Sequence, residues 1–149
     1  MIIQQISVFV ENRPGTLSEV LKVLKDHEIN LRALSVADTS DFGILRMIVN
    51  DPEKVERILK GAGYAVKSTP VLTMTIDDSP GGLLTQVEKM SLAGINIEYV
   101  YAFAAISANE ARVVIKVDNL ERAERIISGD LTSTTQPGKE PNDVPGFYW

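Results

Sequence analysis

Two short stretches of this chain carry the residue types needed to hold a small zwitterion. They are Asn12-Arg13-Pro14-Gly15-Thr16-Leu17 and Asp78-Ser79-Pro80-Gly81-Gly82-Leu83. Each puts a Pro-Gly pair where an apolar run turns into a helical pattern. Glycine has no Cβ, so backbone can approach a ligand closely there. The first N–H groups of a helix lack partners within it and carry the positive end of its dipole. Such a terminus suits a carboxylate, and each hydrogen bond to a charged group is worth roughly 1.5–3 kcal/mol. Asn12 and Asp78 flank the turns and can receive an α-amino group. Asn30 and Asn96 follow at the same distance downstream, each opening a strand. A lone Pro-Gly pair before a helix is commonly only a turn. The recurrence of the whole set favours binding.

The recurrence extends well beyond the loops. "ENRPGTL" at 11–17 returns as "DDSPGGL" at 77–83, and "EINL" at 28–31 as "GINI" at 94–97. "LRMIVND" at 45–51 then meets "VVIKVDN" at 113–119, and "EKVERIL" at 53–59 meets "ERAERII" at 121–127. The second copy therefore carries about two extra residues around Ile106 to Glu110.

Each copy reads as strand, helix, strand, strand, helix, strand. In the first, Leu17, Val20, Leu21 and Leu24 form one helical face, and Thr16 with Glu19 predicts a capping box. "INLRALSVAD" and "ILRMIVN" read as strands. Asp51-Pro52 opens a second helix with Val55, Ile58, Leu59 and Ala62 inward. In the second copy, Leu83, Val87 and Met90 line one helix and Leu120, Ala123 and Ile127 the other. Each copy is small enough to be marginal alone. The connection "KSTPVLT" is too short for a flexible linker, so a rigid pair is expected. The expected units are 1–69, 70–135 and a Pro-rich tail, 136–149.

Other residues offer less. His27, the only histidine, has no acid or nucleophile beside it in sequence and reads as solvated. Asp38, Asp41, Asp77 and Asp78 lack metal-ligand spacing, so no metal or cofactor is expected. Tyr99, Tyr101 and Phe103 alternate on one strand. An RNA-binding sheet uses such a stripe, but this one has no basic surround. It is expected to be covered, packed against the small stripe Ala33, Ser35 and Ala37. In the tail, Phe147, Tyr148 and Trp149 could anchor on the body or on a neighbouring chain.

The bulk properties agree. The net charge is −5, with 44% hydrophobic residues and no cysteine. An acidic chain argues against nucleic acid as a partner. No apolar run approaches the roughly 18 residues needed to span a membrane, and the N-terminus lacks the pattern of a signal peptide. A cytoplasmic location is the expectation.

The pattern strand–[N/D]-x-P-G-x-L–helix–x-N-[I/L] resembles the ACT domain family. "ENRPGTL" is similar to the regulatory domain of phosphoglycerate dehydrogenase, and the tandem arrangement to stand-alone double-ACT proteins. The resemblance covers residues 1 to about 128. It implies an α+β fold of two ferredoxin-like βαββαβ modules, each an antiparallel four-stranded sheet with two helices on one face. It further implies a non-catalytic regulator that binds an amino acid between a loop of one module and the Asn-bearing strand of a partner; a homodimer is expected, because exposed sheet edges and the shared site favour symmetric pairing. The implied site residues are Asn12, Arg13, Pro14, Gly15, Thr16, Leu17 and Asn30 in one set. Asp78, Ser79, Gly81, Gly82, Leu83 and Asn96 form the other. Asp78 departs from the pattern, since a carboxylate cannot donate to a ligand carboxylate. Gly82 stands where the first copy has Thr16, which leaves the second helix start less fixed. Two other readings stay open: an acylphosphatase-like ferredoxin-fold enzyme using Arg13 and Asn30, and an interaction module with no ligand.

Overall fold

The computed structural model describes residues 1–38, 41–104 and 110–129. Within them the chain forms β1 (Ile2–Glu11), α1 (Thr16–Asp26), β2 (Leu31–Asp38), β3 (Phe42–Val49) and α2 (Pro52–Gly61). It continues as β4 (Ala65–Asp77), α3 (Gly82–Leu92), β5 (Ile97–Ala102), β6 (Glu110–Val117) and α4 (Leu120–Ser128). The six strands make one antiparallel sheet in the order β2-β3-β1-β4-β6-β5.

Strand alternation explains how one sheet serves three cores, because successive side chains point to opposite faces. On the helix side, Ile6 and Val8 of β1 join Leu45 and Met47 of β3 under α1 and α2, with Val20, Leu24, Val55 and Leu59. Leu72 and Met74 of β4 join Ile115 and Val117 of β6 under α3 and α4, with Met90 and Ala123. On the other face Ala33, Ile48, Val71 and Val114 form a third cluster, against which Ile3, Tyr101 and Phe103 pack. The sheet curls so that its two edges meet. Ala33 bridges Phe103, and the Ala104 N–H donates to the Arg32 carbonyl at 3.1 Å. Of the two stripes expected to meet, Tyr101 and Phe103 pack with Ala33, whereas Ala37 is exposed and Tyr99 lies against Gln5 and Arg46.

The copies are joined without a flexible linker, as the shortness of the connection predicts. "KSTPVLT" lies inside β4, a single strand of 13 residues. Its first part supports the first helix layer through Val66 and its later part the second through Leu72 and Met74. The first copy has the full four-stranded order β2-β3-β1-β4. In the second copy, the place of a fourth strand beside β4 is taken by the start of β1, where Ile2 pairs with Leu72 and Ile3 with Val71. The copies are therefore interleaved. Residues 106–109 of the expected insertion and the tail anchors Phe147, Tyr148 and Trp149 lie outside the described residues.

Local signals in the sequence mark the second helix of each copy well. Asp51 accepts from the Lys54 N–H and Asn119 from the Arg122 N–H, both at 3.1 Å, the same cap at equivalent positions. The capping box expected at Thr16 is absent. Gly15 is the cap residue of α1 and no side chain caps that helix. The Thr16 hydroxyl instead donates to the Arg13 carbonyl at 3.1 Å, buried in the turn. Ala62, expected inward, lies exposed just past the end of α2.

Candidate functional site: two matched Pro-Gly turns

The two Pro-Gly turns match at their glycines. Gly15 has φ 89° and ψ −15°, Gly81 φ 85° and ψ −2°, both in the left-handed region. In the first turn the Thr16 N–H donates to Arg13 and the Glu19 N–H to Gly15. In the second, the Gly82 N–H donates to Ser79 and the Thr85 N–H to Gly81. Like α1, α3 has no side-chain cap. The reason for glycine at 15 and 81 is the positive φ, since a Cβ added at either would meet nothing within 4 Å.

Gly82 is different. A Cβ there would collide with the Asp77 carbonyl oxygen. The exchange of Thr16 for Gly82 therefore reflects a close approach of backbone in the second turn, rather than a loosely held helix start. Leu83 packs on the second core, whereas Leu17 is exposed. Asp78, Ser79, Pro80 and Gly81 are exposed, as are Asn12, Arg13, Pro14 and Gly15.

Arg13 has two carboxylate partners of its own. Its Nε donates to Glu11 Oε2 at 2.9 Å and its Nη2 to Glu19 Oε2 at 3.5 Å. The hydrogen bond to Glu11, and then the charge of Glu19, hold the guanidinium more firmly protonated than usual. A ligand carboxylate at this turn must compete with these two groups. The Asn12 N–H donates to the Asp41 carbonyl at 3.1 Å, which ties the turn to the tip of the β2–β3 hairpin.

The structure separates Asn30 from the turn of its own copy. The 11-residue α1 lies between them, a span of about 16 Å at ~1.5 Å per residue. Strand directions give the arrangement across copies. β1 and β4 run antiparallel, so the two turns leave the sheet at opposite ends. β2 is parallel to β1, so Asn30 lies at the end where the second turn emerges. By the same argument Asn96 shares an end with the first turn. Asn30 borders an open depression of about 440 Å³ with Leu21, Leu24, Lys25, Glu28 and Leu31. The Asn96 N–H donates to Asp118 Oδ1 at 3.1 Å.

Of the lesser candidates, His27 is exposed with its ring Nδ1 2.8 Å from the Val23 carbonyl. Among the described residues no group of three or more His, Cys, Asp or Glu is placed to hold a metal ion. No described helix is long and apolar enough to cross a membrane.

A polar group missed by sequence reasoning lies between the copies. Gln5 is fully buried on the face opposite the helices. Its Nε2 donates to Tyr99 Oη at 2.8 Å and Ser7 Oγ at 3.2 Å, and its Oε1 accepts from Tyr101 Oη at 2.7 Å. The Arg46 guanidinium stacks 3.9 Å from the centre of the Tyr99 ring. The parity of Gln5 and Ser7, opposite to Ile6 and Val8, was the available signal.

An ACT domain pair is matched over residues 1–136. The fold is similar to that of protein BT0572 from Bacteroides thetaiotaomicron, with 40% identity, TM-score 0.82, and 87% of this chain and 89% of that chain covered. It is also similar to the ligand-free regulatory subunit of aspartate kinase from Thermus thermophilus, with 16% identity, TM-score 0.64, and 88% and 97% covered. The corresponding subunit from Thermus flavus has 18% identity, TM-score 0.60, and 87% and 94% covered. No curated protein matches the chain. With the duplicated turns, the βαββαβ order of the first copy and the match over nearly the whole described chain, this protein belongs to the ACT domain pair family.

Proposed function

We propose that this protein is a non-catalytic regulator that binds an amino acid at its Pro-Gly turns. The observation that supports this most is the repeated turn. The two copies of the turn, Arg13-Pro14-Gly15-Thr16 and Ser79-Pro80-Gly81-Gly82, hold their left-handed glycines in one conformation, each ahead of a helix whose start no side chain caps. The ligand carboxylate takes the helix amides and Asn12 or Asp78 receives the ammonium. The Asn-bearing strand start, Asn30 or Asn96, closes the site from another module or a second subunit. The protein acts in the cytoplasm as a homodimer, in which the shared site favours symmetric pairing. Its units are 1–69 and 70–135, with 136–149 as an appended tail. Ligand closure alters how sheets or chains pair, and that shift is the output.

Thermal denaturation against the twenty amino acids tests the reading. One amino acid, or a few of related shape, should raise stability by about 2.7 kcal/mol at roughly a hundred times Kd. No shift with any of them, in protein freed of carried-over ligand, would leave an interaction module. Turnover of an acyl phosphate would make it an enzyme.

A further inference from the structure

A cavity of about 360 Å³ opens beside the place where the sheet closes on itself. It is separate from both Pro-Gly turns. Ile3, Ile48 and Phe103 give it an apolar wall, and Arg32 and Arg112 stand in it. Both copies build it, since Ile3, Arg32 and Ile48 come from the first and Phe103 and Arg112 from the second.

The two guanidiniums are held but not neutralised. Arg32 Nη1 donates to Asn50 Oδ1 at 3.1 Å. The Arg112 guanidinium lies 5.7 Å from the centre of the Phe103 ring. Among the described residues neither has a carboxylate within ion-pair distance. The described lining contains no Asp or Glu, although the chain has 20 such residues against 15 Lys and Arg. The fold does not demand this. At the matching positions of the second copy, Arg32 is replaced by Glu98 and Asn50 by Asp118. There Glu98 pairs with Lys116 at 3.2 Å and Asp118 accepts from the Asn96 N–H.

We propose that this cavity is a second ligand site, for a small apolar monocarboxylate that carries no ammonium group. Guanidinium forks match a carboxylate well. The apolar wall takes the body of the ligand, and the volume falls at the small end of the roughly 300–1,000 Å³ typical of ligand pockets. An amino acid fits less well, because its ammonium would lie beside two guanidiniums and the Met1 α-ammonium, whose partner Glu124, 3.8 Å away, is not among the described lining residues. The site thus selects against the ligand class proposed for the turns.

Calorimetric titration of the whole chain with phenylacetate and 4-methylpentanoate tests the assignment, with phenylacetamide, phenylalanine and leucine as comparisons. The carboxylates should bind, and the amide and amino acids at least about tenfold more weakly at this site. Arg32→Gln and Arg112→Gln should each weaken the carboxylates by about tenfold or more. Arg32 is exposed, so its variant keeps the test usable if Arg112→Gln disturbs the Phe103 contact; melting curves check both. An amino acid that raises the melting temperature through the turns should leave the carboxylate isotherm in place, so the two readings fail separately. The assignment is overturned by equal binding of amide and carboxylate, by unchanged affinity in Arg32→Gln, or by no heat up to about 10 mM.

Discussion

At the scale of single residues, the repeat makes each copy a control for the other. Glu28 sits at φ 57°, the one non-glycine with positive φ among the described residues, while its counterpart Gly94 has φ 71°. Both end a helix in the same way, through N–H bonds from the residue and its successor back into the last turn. The left-handed conformation strains a side chain that glycine lacks. Glu28→Gly should therefore stabilise the fold by roughly 0.5–1 kcal/mol, the entropy lost by glycine offsetting part of the relief. Urea denaturation would show it as a raised midpoint. Gly82 predicts the opposite. Gly82→Ala puts a methyl into the Asp77 carbonyl and should destabilise by about 1–3 kcal/mol. An equal or smaller loss than that of Gly61→Ala, where space is open and the backbone is not left-handed, would count against the close approach.

At the scale of elements, Gln5 joins β1 to β5, strands on opposite sides of the ring. Burial raises the Tyr101 phenol above its ordinary range, Tyr99 adds to this and Arg46 opposes it. The folded protein therefore keeps a proton that the unfolded chain releases near pH ~10. Stability from this group is fully present below that pH and falls as the pH rises above it. Tyr101→Phe should remove that alkaline decline, at a cost of about 1–3 kcal/mol at neutral pH from the Gln5 Oε1 left without its donor. Chemical denaturation of both proteins on either side of pH ~10 measures both effects. This linkage also marks where the sequence stopped being legible. Helices, strands and the Pro-Gly turns were readable because apolar periodicity and glycine are local signals. The aromatic stripe was readable from its alternation with Ala33 opposite. Gln5 was not, because its partners Tyr99 and Tyr101 lie on the distant β5; Arg32 and Arg112 were not, because only the closure of the sheet brings β2 and β6 to one cavity. The capping box misled because Gly15 took the cap position and turned Thr16 inward.

At the scale of the molecule, the interleaving sets the cooperativity. β1 contributes Ile6 and Val8 to one helix layer, Ile2 to the other and Ile3 to the cluster between them. Neither helix layer can melt while leaving the strands of the other intact. Heating should produce one transition, with calorimetric and van't Hoff enthalpies equal. Two separated transitions would show that the copies fold as independent units. The cavity and the two turns then share one frame, with the turns at opposite ends of it.

The unbroken β4 has a bearing on how such a protein could arise. A gene cut between residues 69 and 70 would not give two working halves. The downstream half would lack the strand that Ile2 and Ile3 provide beside Val71 and Leu72, and would expose an apolar edge in search of one. Another copy of itself is the nearest supplier. Duplication followed by fusion turns that borrowed strand from a neighbour's gift into part of one's own chain, after which neither half is free to leave.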